Sequence, residues 1–135
     1  MGDRNPQHLT KYDHFANFVG VEVLEADPEK GTAKARIQMR KEHENPHGFA
    51  HGGVIYTLID TVGGVALAAM GKKCTTLSSN IDFLNTAAGA QQLIGTATPV
   101  RIGGHVVVYD VTITDETDKL IARSSVTYYL MKDRT

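Results

Sequence analysis

The sequence predicts an α+β domain in which a curled antiparallel sheet of about six strands wraps one long central helix. Three observations lead there. Apolar residues alternate with period two on both sides of the middle of the chain, the period lengthens to about 3.6 only between Gly52 and Met70, and the β-like runs that follow are joined by short turns. The 135 residues make a single domain, residues 1–135. Domains typically run about 100–150 residues, and one of this size buries roughly two-thirds of its unfolded surface.

Lys11 to Val19 reads as a short helix leading into a first strand over Val21 to Ala26. Asp27-Pro28-Glu29-Lys30-Gly31 is a turn by composition. Thr32 to Arg40 then alternates cleanly, with Ala33, Ala35, Ile37 and Met39 on one face and Lys34, Arg36, Gln38 and Arg40 on the other, which is a strand with one wet side. Beyond Pro46, Val54, Leu58, Val62, Val65 and Ala69 form an apolar helical stripe flanked by Ile55, Ile59 and Ala66, and Gly71 ends it. Four β runs complete the chain: Thr75 to Phe83, Leu93 to Arg101, His105 to Thr114 and Lys119 to Met131, with turns at Gly89, Gly103-Gly104 and Asp115 to Asp118. Residues 1–10 and 132–135 are expected to be flexible.

Fourteen basic and 15 acidic residues, well mixed, give a formal charge of −1 and no basic surface for nucleic acid. The N-terminal residues carry neither an apolar leader nor an acylation signal. The longest uninterrupted apolar stretch, Val62 to Met70, has nine residues, short of the roughly 20 a membrane span needs. One cysteine, Cys74, excludes an internal disulfide and suits a reducing compartment, so a cytoplasmic location is expected.

Chemistry concentrates in Asn45-Pro46-His47-Gly48-Phe49-Ala50-His51-Gly52-Gly53 and the apolar helix behind it, which carries one carboxylate, Asp60. A Gly pair entering a helix presents backbone N–H groups with no intrahelical acceptor, at the positive end of the macrodipole. Such donors polarise a carbonyl as its oxygen gains charge, and a carboxylate can attack or activate water: together they suit acyl transfer. At about 100° per residue, Asp60 falls off the apolar stripe, beside Tyr56, Thr57, Gly63 and Gly64. Asn45 and His51 add side-chain donors.

Rival constellations are weaker. His43, His47 and His51 recur every four residues, a zinc-like spacing on a helix, but Pro46 breaks helical geometry between them. His43 and His47 are then expected in the loop, lining the substrate entrance. No Gly-x-Ser-x-Gly elbow occurs, Cys74 has no neighbouring base, and Gly103-Gly104 lacks a dinucleotide fingerprint.

Asn45, Gly48, His51-Gly52-Gly53, Leu58 and Asp60 resemble, at matching spacing, the signature of the hotdog-fold acyl-CoA thioesterases of the PaaI-like (phenylacetate-pathway) group, and Thr61, Gly63, Gly64 and Ala66 extend the likeness. The resemblance implies the hotdog fold and hydrolysis of an acyl- or aryl-acyl-CoA. Asp60 would be nucleophile or general base, the Gly52 N–H would polarise the carbonyl, and Asn45, His51 and Ser78 would position the reactants. It also implies substrate contacts from Gly48, Gly53, Thr61 and Arg101, with Arg101 and Lys72 or Lys73 reaching the phosphates. No metal or other cofactor is implied, coenzyme A being part of the substrate. A homodimer with the active site between subunits is the implied minimum, and a homotetramer the expected assembly. A non-catalytic acyl-CoA binding module and a metal-dependent hydrolase built on the three histidines are the alternatives.

Overall fold

The computed structural model describes residues 6–132. After a 3-10 turn at Pro6–Thr10 come α1 (His14–Val19), β1 (Val21–Asp27), β2 (Thr32–Gln38), a short 3-10 turn at Lys41–His43, and α2 (Gly52–Ala69). Four long strands follow: β3 (Lys73–Phe83), β4 (Gln92–Ile102), β5 (Val106–Asp115) and β6 (Leu120–Met131). They form one six-stranded sheet in the order β1-β2-β4-β5-β6-β3, with every neighbouring pair antiparallel.

Alternation decides which face of each strand meets the helix. Ala33, Ala35 and Ile37 of β2, Leu93 and Ala97 of β4, Val107, Tyr109, Val111 and Ile113 of β5, and Val126 and Tyr128 of β6 are all buried. Against them α2 buries Ile55, Leu58, Ile59, Val62, Val65, Ala66 and Leu67. By length and mean hydropathy, 18 residues at 1.5, α2 could cross a membrane; its apolar side is instead the centre of this core. That composition was hidden when only the uninterrupted run from Val62 was counted.

Local chemistry sets the helix ends. Asp13 caps α1 by accepting from the Ala16 N–H at 3.0 Å, and Gly20, at φ 103°, terminates it. After α2, Gly71 takes φ +76°, and the N–H groups of Gly71 and Lys72 bond back to the carbonyls of Ala68 and Leu67, the glycine stop expected there. The start of the chain departs from expectation. Pro6 and Thr10 are buried, and the Gln7 amide donates to the Val23 carbonyl at 2.5 Å, so residues 6–10 are tied to β1 rather than free. Residues 1–5 and 133–135, also expected to be flexible, lie outside the described residues.

Two features of β3 position the site. It reaches the far edge of the sheet, where β6 is its one partner strand. It also carries a bulge: Thr76 pairs with Tyr128 and Ser78 with Thr127, leaving Leu77 as the extra residue.

Candidate active site

The loop before α2 is held by its own side chains. The Asn45 Oδ1 accepts from the N–H groups of His47 at 2.9 Å and Phe49 at 3.0 Å. The main chains of Asn45 and Phe49 bond at 2.7 Å. Gly48 sits in this turn at φ +80°, a conformation that a side chain would strain, and the space around it is open. His43 does not line an entrance: it is 2% exposed, its Nε2 bonds the Val19 carbonyl at 2.6 Å and its Nδ1 accepts from the Arg40 N–H. It anchors the base of the loop to the end of α1. His47 is exposed beside the Phe49 ring. Among the described residues no group of three His, Cys, Asp or Glu side chains converges as a metal site would require.

His51 is the N-cap of α2. Its Nδ1 accepts from the Gly53 N–H at 2.8 Å, while its carbonyl accepts from Val54 and Ile55. The cap therefore occupies the second N–H of the helix and leaves the first, that of Gly52, without an acceptor among the described residues. Gly53 thus serves the cap, and Gly52 supplies the open donor. Asn45, Phe49, Ala50, Gly52, Phe83 and Thr86 line a pocket of about 300 Å³.

Asp60 lies in a different cleft, of about 520 Å³, with Thr61, Gly64, Cys74, Thr76 and Tyr128 in its wall. The Thr76 hydroxyl donates to Asp60 Oδ1 at 2.6 Å, and the Tyr128 hydroxyl donates to the Asp60 main-chain carbonyl at 2.9 Å. Burial, and then the charge of Asp60, pushes the Cys74 thiol up to about 11 from 9.0. The same two causes, in that order, raise the Tyr128 phenol. Both stay neutral at ordinary pH, so Cys74 is a poor nucleophile.

Ser78 is not brought to Asp60. The bulge at Leu77 reverses the alternation of β3: Cys74, Thr76, Ser79 and Ile81 are half-buried, while Thr75, Ser78 and Asn80 are exposed. A fixed offset of 18 residues from Asp60 selects Ser78; strand parity counted from Cys74 would have selected Thr76. Thr61 lines the Asp60 cleft. Arg101 is exposed on β4, packed against the Gly103 turn, in neither pocket. Lys72 and Lys73 border the Asp60 cleft and also a neighbouring pocket that includes Gly104, His105 and Lys132.

The two halves of the chemistry do not meet within one chain. Gly52 and Asp60 are eight residues apart on α2, which is roughly 12 Å along a helix axis, and they line separate pockets. An N–H polarising a carbonyl oxygen and a group attacking its carbon must both lie about 3 Å from the reacting atoms.

A sheet curled round one helix, with a Gly pair at the helix start and a carboxylate two turns on, defines a hotdog-fold hydrolase. The family model described as the thioesterase superfamily matches residues 47–122, and the chain belongs to that superfamily, in its PaaI-like group. The chain is 26% identical over 119 residues to the acyl-coenzyme A thioesterase PaaI of Escherichia coli, covering 88% of this chain and 84% of that one. The solved structure of E. coli PaaI superposes with a TM-score of 0.87 at 24% identity, covering 96% and 92% of the two chains. A hypothetical thioesterase of Streptococcus pneumoniae, solved with coenzyme A, gives a TM-score of 0.83 at 25% identity, covering 93% and 99%.

Proposed function

We propose that the protein hydrolyses acyl-CoA thioesters to the free acid and coenzyme A, with Asp60 of one subunit acting on a carbonyl held by the Gly52 N–H of another. The observation that carries this reading is the state of Asp60. One carboxylate oxygen is fixed by Thr76, which leaves the other for chemistry, in a cleft whose thiol and phenol are held neutral. The relative named as an acyl-coenzyme A thioesterase and the neighbour solved with coenzyme A support the substrate class.

The carbonyl oxygen accepts from the Gly52 N–H, and an oxygen nucleophile adds to the carbonyl carbon. The tetrahedral oxyanion collapses, the C–S bond breaks, and the sulfur leaves with a proton as coenzyme A. With Asp60 as base, the nucleophile is water and the carboxylate takes its proton. With Asp60 as nucleophile, a mixed anhydride forms and water then cleaves it. A single turnover in heavy-oxygen water separates the routes, since only the second exchanges a carboxylate oxygen of Asp60. Asn45, whose carbonyl oxygen the loop already occupies, offers its amide N–H groups to the substrate. His51 acts by holding Gly53 and so setting the direction of the Gly52 N–H. No cofactor is required. Lys72 and Lys73, at the rim shared with the pocket of Gly104, His105 and Lys132, are placed for the CoA phosphates better than Arg101.

The separation of Gly52 and Asp60 supports a dimer as the smallest active unit. The outer edge of β3, with Leu77 and Phe83 each 56% exposed, offers the surface, and a tetramer would pair two such dimers. The test is steady-state thiol release from a panel of aryl- and alkyl-CoA esters. Asp60→Asn should lose at least about 100-fold in kcat, the scale of an essential acid–base group. No turnover by the wild type, or an equally active variant, overturns the assignment.

A further inference from the structure

Gly63 lies on α2 three residues past Asp60 and is buried. A Cβ placed there would stand 2.1 Å from the Tyr128 hydroxyl oxygen and 2.9 Å from the ring carbon that bears it. Both are closer than real Cβ atoms approach, so the glycine is a notch cut for this tyrosine. The adjacent Gly64 differs: its Cβ would meet nothing within 4 Å, and it faces the Asp60 cleft. A mid-helix glycine is disfavoured, and these two have separate reasons, one to admit a side chain from the sheet and one to leave room beside the carboxylate.

Tyr128 fills the notch completely, with 1% of its surface exposed. Its ring is backed edge-on by Tyr109, with centroids 6.2 Å apart, and the Tyr109 hydroxyl is itself fixed on the Gly31 carbonyl at 2.5 Å. A buried phenol needs an acceptor, and the one it reaches is the main-chain carbonyl of Asp60, at 2.9 Å. A helix carbonyl has a lone pair left after bonding the N–H four residues on. Two hydrogen bonds thus tie this turn of α2 to the sheet, and both end on Asp60: Thr76 on the carboxylate and Tyr128 on the carbonyl.

We propose that Tyr128, seated in the notch left by Gly63, is a positioning residue for the reaction at Asp60. It fixes the backbone from which the carboxylate projects, while Thr76 fixes the carboxylate itself. The inference rests on the reading of Asp60 as the reacting group. Its physical basis is the steep dependence of rate on alignment: a displacement of about 1 Å can cost about 100-fold. A side chain on a helix is no better placed than the turn that carries it.

Tyr128→Phe keeps the ring and its packing and removes the donor. The expected result is a fall in kcat of about 10-fold or more, with KM within about three-fold and the folded fraction unchanged. Gly63→Ala, which evicts the hydroxyl, should reproduce the loss. Adding it to Tyr128→Phe should cost less than adding it to the wild type, because the two changes break one interaction. If Asp60→Asn is inactive while Tyr128→Phe keeps kcat within about two-fold of wild type, the proposal falls and Tyr128 is a core filler. If the wild type hydrolyses no thioester, the underlying reading falls instead. The position of the carboxylate in crystals of Tyr128→Phe then decides the structural claim: release from Thr76 or a shift of about 0.5 Å or more supports it, and an unmoved carboxylate overturns it.

Discussion

Replacing Thr76 by valine removes one hydroxyl and leaves shape and volume nearly unchanged, so it isolates the bond between Thr76 and Asp60. That bond is short, 2.6 Å from oxygen to oxygen, in the range of charge-assisted contacts. Hydrogen bonds to charged groups are worth about 1.5–3 kcal/mol. If the whole of that serves to hold the carboxylate in the transition state, kcat should fall by about 10- to 150-fold at about 1.4 kcal/mol per decade. Ser78→Ala provides the control. Ser78 is exposed on the opposite face of β3, past the Leu77 bulge, and its loss should leave kcat within about two-fold. The assay is thiol release under saturating acyl-CoA, with circular dichroism to confirm equal folded fractions. A Thr76→Val enzyme as fast as wild type, or a large loss in Ser78→Ala, would refute the assignment of Thr76 as the partner of Asp60.

Two further outcomes are expected. Asp60→Asn and a Gly52 variant with a bulky side chain, each inactive alone, should regain activity when refolded together, because a mixed dimer contains one site with both Gly52 and Asp60 intact; a mixture that stays inactive would place the whole site within one chain. Stability should decline above pH 9. Burial raises Cys74 to about 11 and, with the Cys74 charge behind it, Tyr109 to about 12. Below pH 9 the folded and unfolded chains hold the same protons on these groups. Between pH 9 and 11 the unfolded chain gives up the thiol proton that the fold retains, so stability falls as pH rises, and Tyr109 carries the decline toward pH 12. Calorimetric Tm values from pH 8 to 11 should slope downward, less steeply in Cys74→Ala, and identical slopes in the two proteins would contradict the burial of the thiol.

Much of the fold was written in periodicity. The alternation of Ala33, Ala35 and Ile37 put β2 over the core because side chains on a strand point to opposite faces in turn. The stripe from Val54 to Ala69 put α2 beneath the sheet for the analogous reason at helical spacing. Half of the site was equally local: the Gly pair, the His51 cap and the Asn45 turn all act within a few residues of themselves, so their types and order were enough to locate them.

Only the tertiary structure decided what Asp60 touches. Its partners Thr76 and Tyr128 come from β3 and β6, brought together by a sheet order in which β3 crosses to the far edge. No pattern along the chain encodes that crossing. The bulge at Leu77 adds one residue to β3 and turns Ser78 away from the helix, a shift that counting cannot register because it is set by pairing with β6. For the same reason the pairing of Gly63 with Tyr128 was invisible: a missing side chain in a helix has no meaning until the side chain that fills its place arrives from 65 residues further along the chain.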